Sequence, residues 1–345
     1  MRGEDVLAAY VEAMGALAGD GPRELTVAYT AMHGIGADVL RSVFARAGFA
    51  PPVSVPEQDR PDPDFPTVAF PNPEEPGAMD LLLALASSIA ADIAIAHDPD
   101  ADRCAVAVGG RMLRGDEVGV LLGDYLLRSG ARGTFAARIV SSSMLGALCT
   151  AADVPYAETL TGFKWIVRAP QQTGVPLSFG YEEALGYAVA PDLVRDKDGI
   201  SAAMLLAALA AQLRAAGRTL LDRLDELAVE HGVYGTDQIS VRVEDLSVIA
   251  ATMARLRSNP PVTLLERSVR FVDLAPGADV VRLAGDGVRV IARPSGTEPK
   301  LKIYLEVVVP VTGSLAEARA VSAALLGRLR QELTMHGVAS SVLPG

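Results

Sequence analysis

The sequence predicts an α/β protein: two α/β mixed-sheet domains followed by a C-terminal α+β domain. Three observations carry this. Short apolar runs of strand composition alternate with helical stretches as far as residue 230. The segments richest in carboxylates and glycine fall at the ends of those runs. From Gly232 the pattern changes to strands interrupted by one helix and closed by another. A chain of 345 residues suits two or three domains, with expected boundaries at 1–109, 110–230 and 231–345.

The first domain opens with a helix over 1–18, a strand at 25–29, a helix at 37–47 and a second strand. A Pro/Asp/Glu-rich loop follows over 56–76, longer than most connections, which points to function or to domain packing. A helix at 78–90 then leads into Asp92-Ile-Ala-Ile-Ala96, apolar and too short for a helix. The second domain starts near Gly110, with a helix at 116–127, a strand at 133–140 and a helix at 145–152; helices at 199–216 and 219–230 close it. The third reads as a strand, a helix at 245–258, three short strands and a terminal helix at 315–336. Sheets of this kind bind ligands beyond the carboxyl ends of their strands, so functional residues are sought there.

Directly after the 92–96 strand comes His97-Asp98-Pro99-Asp100-Ala101-Asp102-Arg103. Asp98, Asp100 and Asp102, at every second residue of a turn, can converge on one hard cation, and their oxygens suit Mg²⁺. Arg103 beside them offers a positive fork for phosphate. An Asp-rich surface turn is the competing explanation. An EF-hand register fails, because its sixth and twelfth positions hold Arg103 and Gly109. An aspartyl-phosphate phosphatase of the haloacid dehalogenase type stays open, with Asp98 as nucleophile and Asp100 as acid.

A second signal is Arg293-Pro-Ser-Gly-Thr-Glu-Pro-Lys300, set between two runs of strand composition. Arg293 is bidentate, Ser295 and Thr297 carry hydroxyls, and Gly296 lets backbone N–H groups approach a ligand; these are the parts of a phosphate nest. The only lysines in this arginine-rich chain are Lys164, Lys197, Lys300 and Lys302. Sparing use suggests that each site wants a compact ammonium. Lys164 lies in Thr161-Gly-Phe-Lys-Trp165 at a helix start, whereas Lys197 reads rather as part of a solvated polar loop.

Two further segments are weaker. In Gly180-Tyr-Glu-Glu-Ala-Leu-Gly186, Glu182 and Glu183 can each accept hydrogen bonds from vicinal sugar hydroxyls. In Met32-His33-Gly-Ile-Gly36, between a strand and a helix, the glycines suggest anion binding and His33 is the one polar handle.

Half of the residues are apolar and 21% are charged, so the chain can bury real cores. A net charge of −11 argues against nucleic acid or an anionic membrane as partner, and leaves phosphate to local clusters of Arg and Lys. Cys104 and Cys149 form no framework and read as buried thiols of a reducing cytosol. The acids Glu4 and Asp5, and the lack of an apolar run after them, do not fit a signal peptide, and the apolar run 202–213 is too short to span a bilayer. A cytoplasmic protein is expected.

Taken in order, the five motif segments resemble the α-D-phosphohexomutase superfamily of phosphoglucomutases and phosphomannomutases. The resemblance runs across essentially the whole chain; the DPDADR and RPSGTEPK motifs are specific in combination. It implies Mg²⁺ on Asp98, Asp100 and Asp102, sugar hydroxyls on Glu182 and Glu183, and a phosphate on Arg293, Ser295, Gly296, Thr297 and Lys300. Arg103, Lys164 and His33 are then the catalytic candidates. The implied reaction moves a phosphoryl group between the 1- and 6-positions of a hexose, with hexose phosphate and hexose bisphosphate as ligands. Members of the family begin with a further domain bearing a phosphoserine in a Thr-Ala-Ser-His-Asn-Pro-like loop, and no such loop occurs in these residues. The serines of Ile139-Val-Ser-Ser-Ser-Met144 match an ordinary structural segment with hydroxyls at helix-capping positions. The expectation is therefore a chain that binds sugar phosphates without turning over alone, with a separate phosphoserine domain as partner. A non-catalytic sugar-phosphate-binding protein is the alternative from another class.

Overall fold

The computed structural model describes residues 3–296 and 299–335. It divides into two compact units, Met1–Leu224 and Asp225–Gly345. In the first, α1 (Gly3–Ala16) precedes β1 (Val27–Thr30), α2 (Gly36–Arg46), β2 (Val53–Ser54), α3 (Asp80–Ser88), β3 (Ile93–Ala96), β4 (Ala105–Val108) and β5 (Arg111–Met112). These strands form one sheet in the order β2-β1-β3-β4-β5. β1 runs parallel to β2 and β3, and β4 turns back antiparallel. Every residue of β1, β3 and β4 is buried, as befits strands covered on both faces.

A second sheet follows in the same unit: α4 (Gly115–Arg128), β6 (Thr134–Arg138), α5 (Met144–Ala151), β7 (Tyr156–Thr159), α6 (Phe163–Ile166), α7 (Pro170–Thr173), β8 (Leu177–Glu182) and β9 (Gly186–Ala188). Its order is β7-β6-β8-β9, again parallel at the centre with an antiparallel last strand. The two sheets therefore share one topology, which sequence self-similarity does not show. The loop after β3, with the aspartates, and the loop after β8, with the glutamates, occupy equivalent places. Helix α8 (Gly199–Ala215) contacts β3 of the first sheet and β9 of the second and is buried nearly all round. A helix apolar on every face needs partners on several sides, and this one holds the two sheets in a single unit. Its N-cap Asp198 accepts from Ile200 N and Ser201 N, and Tyr10 Oη of α1 donates to the same carboxylate at 2.9 Å.

The division expected at 109/110 falls inside the first sheet: Gly109-Gly110 is the turn of the β4–β5 hairpin, with Val108 opposite Arg111. The short run Arg111-Met112 pairs back because two glycines with positive φ allow the tight turn. The division at Leu224/Asp225 lies within α9 (Leu220–His231), ahead of the expected 230/231.

The second unit is a six-stranded antiparallel sheet, β10-β15-β14-β13-β12-β11. Its elements are β10 (Val233–Arg242), α10 (Leu246–Ser258), β11 (Thr263–Leu264), β12 (Arg267–Asp273), β13 (Val281–Gly285), β14 (Val288–Pro294), β15 (Lys300–Val309) and α11 (Leu315–Met335). Five strands, not three, thus separate the two helices; β12 reads Arg-Ser-Val-Arg-Phe-Val-Asp with no clean polar/apolar alternation, which hides it in the sequence. Ile239, Val241, Val288, Val290, Leu301, Ile303, Leu305 and Val307 face a core shared with Met253 of α10 and Leu329 of α11. Among the described residues, no single helix is long and apolar enough to cross a membrane.

Candidate functional site

The loop between β3 and β4 turns on Ala101, whose φ of 59° is left-handed, and whose N–H bonds Asp98 O at 2.9 Å. That turn brings oxygens of Asp98, Asp100 and Asp102 within 4.8 Å of one another. An all-carboxylate donor set fits a hard divalent cation. Asp98 is the buried member, and burial, reinforced by Asp102 and Asp100, raises its pKa to about 6 although the Arg103 N–H bonds it at 3.0 Å. Arg103 Nε lies 3.5 Å from Asp98 Oδ2 and 4.0 Å from Asp102 Oδ1, so the expected neighbour is in place.

Lys197, read above as a solvated loop residue, is half-buried with its Nζ 2.5 Å from Asp102 Oδ2. Gly186 makes its path: a Cβ there would lie 2.4 Å from Lys197 Cδ. Glu182 is close enough to act on the Lys197 charge, so this ammonium faces both carboxylate loops. The sequence carried one sign of it, a lysine where lysines are scarce.

The two loops are joined directly. Cys104 N donates to Leu185 O at 3.0 Å, and Arg103 forms an antiparallel bridge with Gly186. Glu182 ends β8, buried, and pairs with Arg138 Nη1 of β6 at 3.0 Å; Glu183 Oε1 is 3.6 Å from the same nitrogen. Burial pushes the Glu182 carboxyl up and Arg138 pulls it back towards ionisation. Ser141 Oγ donates to Glu183 Oε2 at 3.0 Å, so that serine orients a carboxylate, while Ser142 Oγ accepts from Met144 N at 3.3 Å at the head of α5. Sequence reasoning missed Arg138. Its signal was one arginine at the end of an apolar strand, since a buried cation needs a buried acid.

His33 is buried against the 56–76 loop. Its Nε2 lies 2.8 Å from Thr67 Oγ1, its N–H bonds Gln58 O at 3.1 Å, and its carbonyl accepts from Asp62 N at 3.0 Å. Gln58 in turn bonds Thr67 Oγ1 at 2.9 Å and accepts from Thr30 Oγ1 at 2.6 Å. The next residue, Gly34, explains the glycine better than anion binding does: a Cβ would meet Pro99 Cα at 2.3 Å. Ile35 N also donates to Pro99 O at 2.9 Å, so this loop braces the aspartate loop from behind. Lys164 is exposed, its Nζ 5.6 Å from the Trp165 ring, on a helix of four residues.

In the second unit, the phosphate-nest candidates form the β14–β15 hairpin. Ser295 N bonds Lys300 O at 2.8 Å. Arg293 donates to Pro294 O at 3.3 Å, and its Nε is buried with no partner among the described residues. Gly296 is exposed, with no other protein atom within 4 Å of a Cβ position. Thr297 lies outside the described residues.

Family models described as phosphoglucomutase/phosphomannomutase match three successive stretches: alpha/beta/alpha domain II at residues 8–111, alpha/beta/alpha domain III at 114–230 and the C-terminal domain at 239–312. A probable phosphomannomutase of Haemophilus influenzae is 45% identical over 88% of the chain and 64% of its own length. A human phosphopentomutase is 36% identical over 82% of the chain and 53% of its own. A solved phosphoglucomutase/phosphomannomutase family protein from Burkholderia thailandensis shares the fold, with a TM-score of 0.70 at 17% identity, over 96% of this chain and 65% of that one. The chain thus spans between half and two thirds of the proteins it matches.

Proposed function

The chain belongs to the phosphoglucomutase/phosphomannomutase family, and on that premise we propose that it serves the transfer of a phosphoryl group between the 1- and 6-positions of a hexose. The observation that carries the proposal is the joining of the aspartate loop to the glutamate loop by the Cys104–Leu185 hydrogen bond and the Arg103–Gly186 bridge. A cation site and a sugar-hydroxyl site are thereby one rigid piece.

In this reading Asp98, Asp100 and Asp102 hold Mg²⁺, which when bound supplies positive charge against the oxygens of a transferring phosphoryl group. Arg103 adds a fixed guanidinium beside them. Lys197 neutralises Asp102 and presents an ammonium between the two loops. Arg138 pairs with Glu182 and lies beside Glu183, which aims both carboxyl groups so that each can accept hydrogen bonds from hydroxyls. Arg293, Ser295, Gly296, Thr297 and Lys300 hold the phosphate that is not transferred. His33 acts through the loops it braces, and Lys164 is available to the sugar phosphate as an exposed cation. The relatives' names span phosphomannomutase and phosphopentomutase, so the ligand class is a sugar phosphate.

These residues hold no serine loop of the family's kind. Taken alone, the polypeptide should bind phosphosugars without sustained turnover, and a phosphoserine domain supplied separately should restore activity. Calorimetry with glucose 6-phosphate, mannose 6-phosphate and ribose 5-phosphate in Mg²⁺ tests the binding. Binding that Arg293→Lys weakens by about 1–3 kcal/mol, the worth of a charge-assisted hydrogen bond, is expected. Failure of all three sugars to bind would reject the proposal. Phosphate release with label on Asp98 would move the chain to the phosphatase class.

A further inference from the structure

The chain enters α8 through Lys197-Asp198-Gly199. Backbone bonds pin this segment on both sides: Asp198 N donates to Tyr187 O at 2.9 Å, and Gly199 N donates to Ala101 O of the aspartate loop at 3.0 Å. The packing is tight, since a Cβ on Gly199 would lie 2.3 Å from Arg103 O and 2.7 Å from Ala101 O. A close-packed segment passes a shift on to its neighbours rather than absorbing it. The neighbour that matters is Lys197, whose ammonium meets Asp102.

Asp198 is buried and pairs with no cation among the described residues. Its Oδ1 accepts from Ile200 N at 3.1 Å and Ser201 N at 3.3 Å, which caps the helix. Its Oδ2 has one partner among the described residues, the Tyr10 hydroxyl of α1, which lies 2.9 Å from each oxygen. A buried carboxylate without a cation depends on every hydrogen bond it has. Tyr10 is half-buried, and phenylalanine would cover the same apolar surface. What the hydroxyl adds is the bond to Asp198.

We propose that Tyr10 is a positioning residue of the candidate site: its hydroxyl fixes the Asp198 carboxylate, and Asp198 sets where the adjoining Lys197 ammonium stands against Asp102. A residue 188 positions from its partner thus acts on the phosphosugar through a lysine. The inference rests on the phosphosugar reading for its ligand, and on geometry alone for the placing of Lys197.

Two measurements decide it. With four lysines in the chain, lysine labelled at Cε gives few side-chain NMR signals, and Lys197→Arg identifies the one at issue. Tyr10→Phe, which keeps the ring, should shift the Lys197 signal and leave those of Lys164, Lys300 and Lys302 in place, with thermal melts confirming the fold. Calorimetric titration of glucose 1,6-bisphosphate in Mg²⁺ then closes a double-mutant cycle. Tyr10→Phe should bind at least about ten-fold more weakly than the parent, the scale on which supporting groups of a site act. In a Lys197→Met background the same change should cost nothing further. An unmoved Lys197 signal, or an equal loss in both backgrounds, would make Tyr10 an ordinary structural residue and overturn the inference. If the parent binds no bisphosphate, the phosphosugar reading falls, while the NMR signal still tells whether Tyr10 places the ammonium.

Discussion

Arg138 has 9% of its side chain exposed, and Glu182 and Glu183 both lean on it. Replacing it by methionine leaves two acids without a cation in a largely dry place, and loss of one partner of a buried pair costs about 3–5 kcal/mol. Urea unfolding of Arg138→Met should show a loss of that order; a change under about 0.5 kcal/mol, the size of an ordinary surface substitution, would mean the glutamates are solvated after all. Asp100 is exposed and its removal should leave the fold intact. Asp100→Ala should nevertheless lose at least about ten-fold in Mg²⁺ affinity, the scale on which even supporting groups of metal sites act. Equal affinity of parent and variant, measured with a sugar bisphosphate present, would remove the cation assignment. Both cysteines are buried, and burial raises the Cys149 thiol to about 12 and Cys104 further. Because the thiolate is the reactive form, iodoacetamide at neutral pH should label neither in the native protein and both in urea.

Loops rather than helices carry the positions that matter, and they differ in how far the sequence discloses them. Helical periodicity placed α2, α4, α5, α8 and α10 to within about two residues, the usual uncertainty of helix ends. The clustering of the aspartates was legible because all three carboxylates lie on one turn. Arg138 and Lys197 were not, since their partners lie 44 and 95 positions away and only the tertiary fold brings them together. The 56–76 loop was marked by its length, but its tie to His33 through Thr67 and Gln58 depends on pairings no local pattern encodes. Gly34 is the sharpest element-level test. A methyl group there meets Pro99 Cα, C and O, all backbone, between 2.3 and 2.6 Å. Overpacking of this sort costs about 1–3 kcal/mol, and here the strain falls on the aspartate loop. Gly34→Ala should therefore lower both the melting temperature and the Mg²⁺ affinity. A variant that loses stability but keeps full cation affinity would show that the two loops are not mechanically coupled.

For the whole molecule, a net charge of −11 makes capture of a phosphate a local matter. The aspartates repel the ligand's phosphates unless a cation lies on them. A divalent ion and a sugar bisphosphate should accordingly bind cooperatively, and linkage requires that each raise the other's affinity by the same factor. Titration of glucose 1,6-bisphosphate onto the 345-residue chain, with and without Mg²⁺, measures this directly. Reciprocal enhancement of about ten-fold or more, a coupling within the ordinary 1–3 kcal/mol range, abolished by Asp100→Ala, is the expected result. Bisphosphate binding that is indifferent to Mg²⁺, or no binding at all, would contradict the assignment of this chain as the cation-, sugar- and phosphate-holding part of a phosphohexomutase.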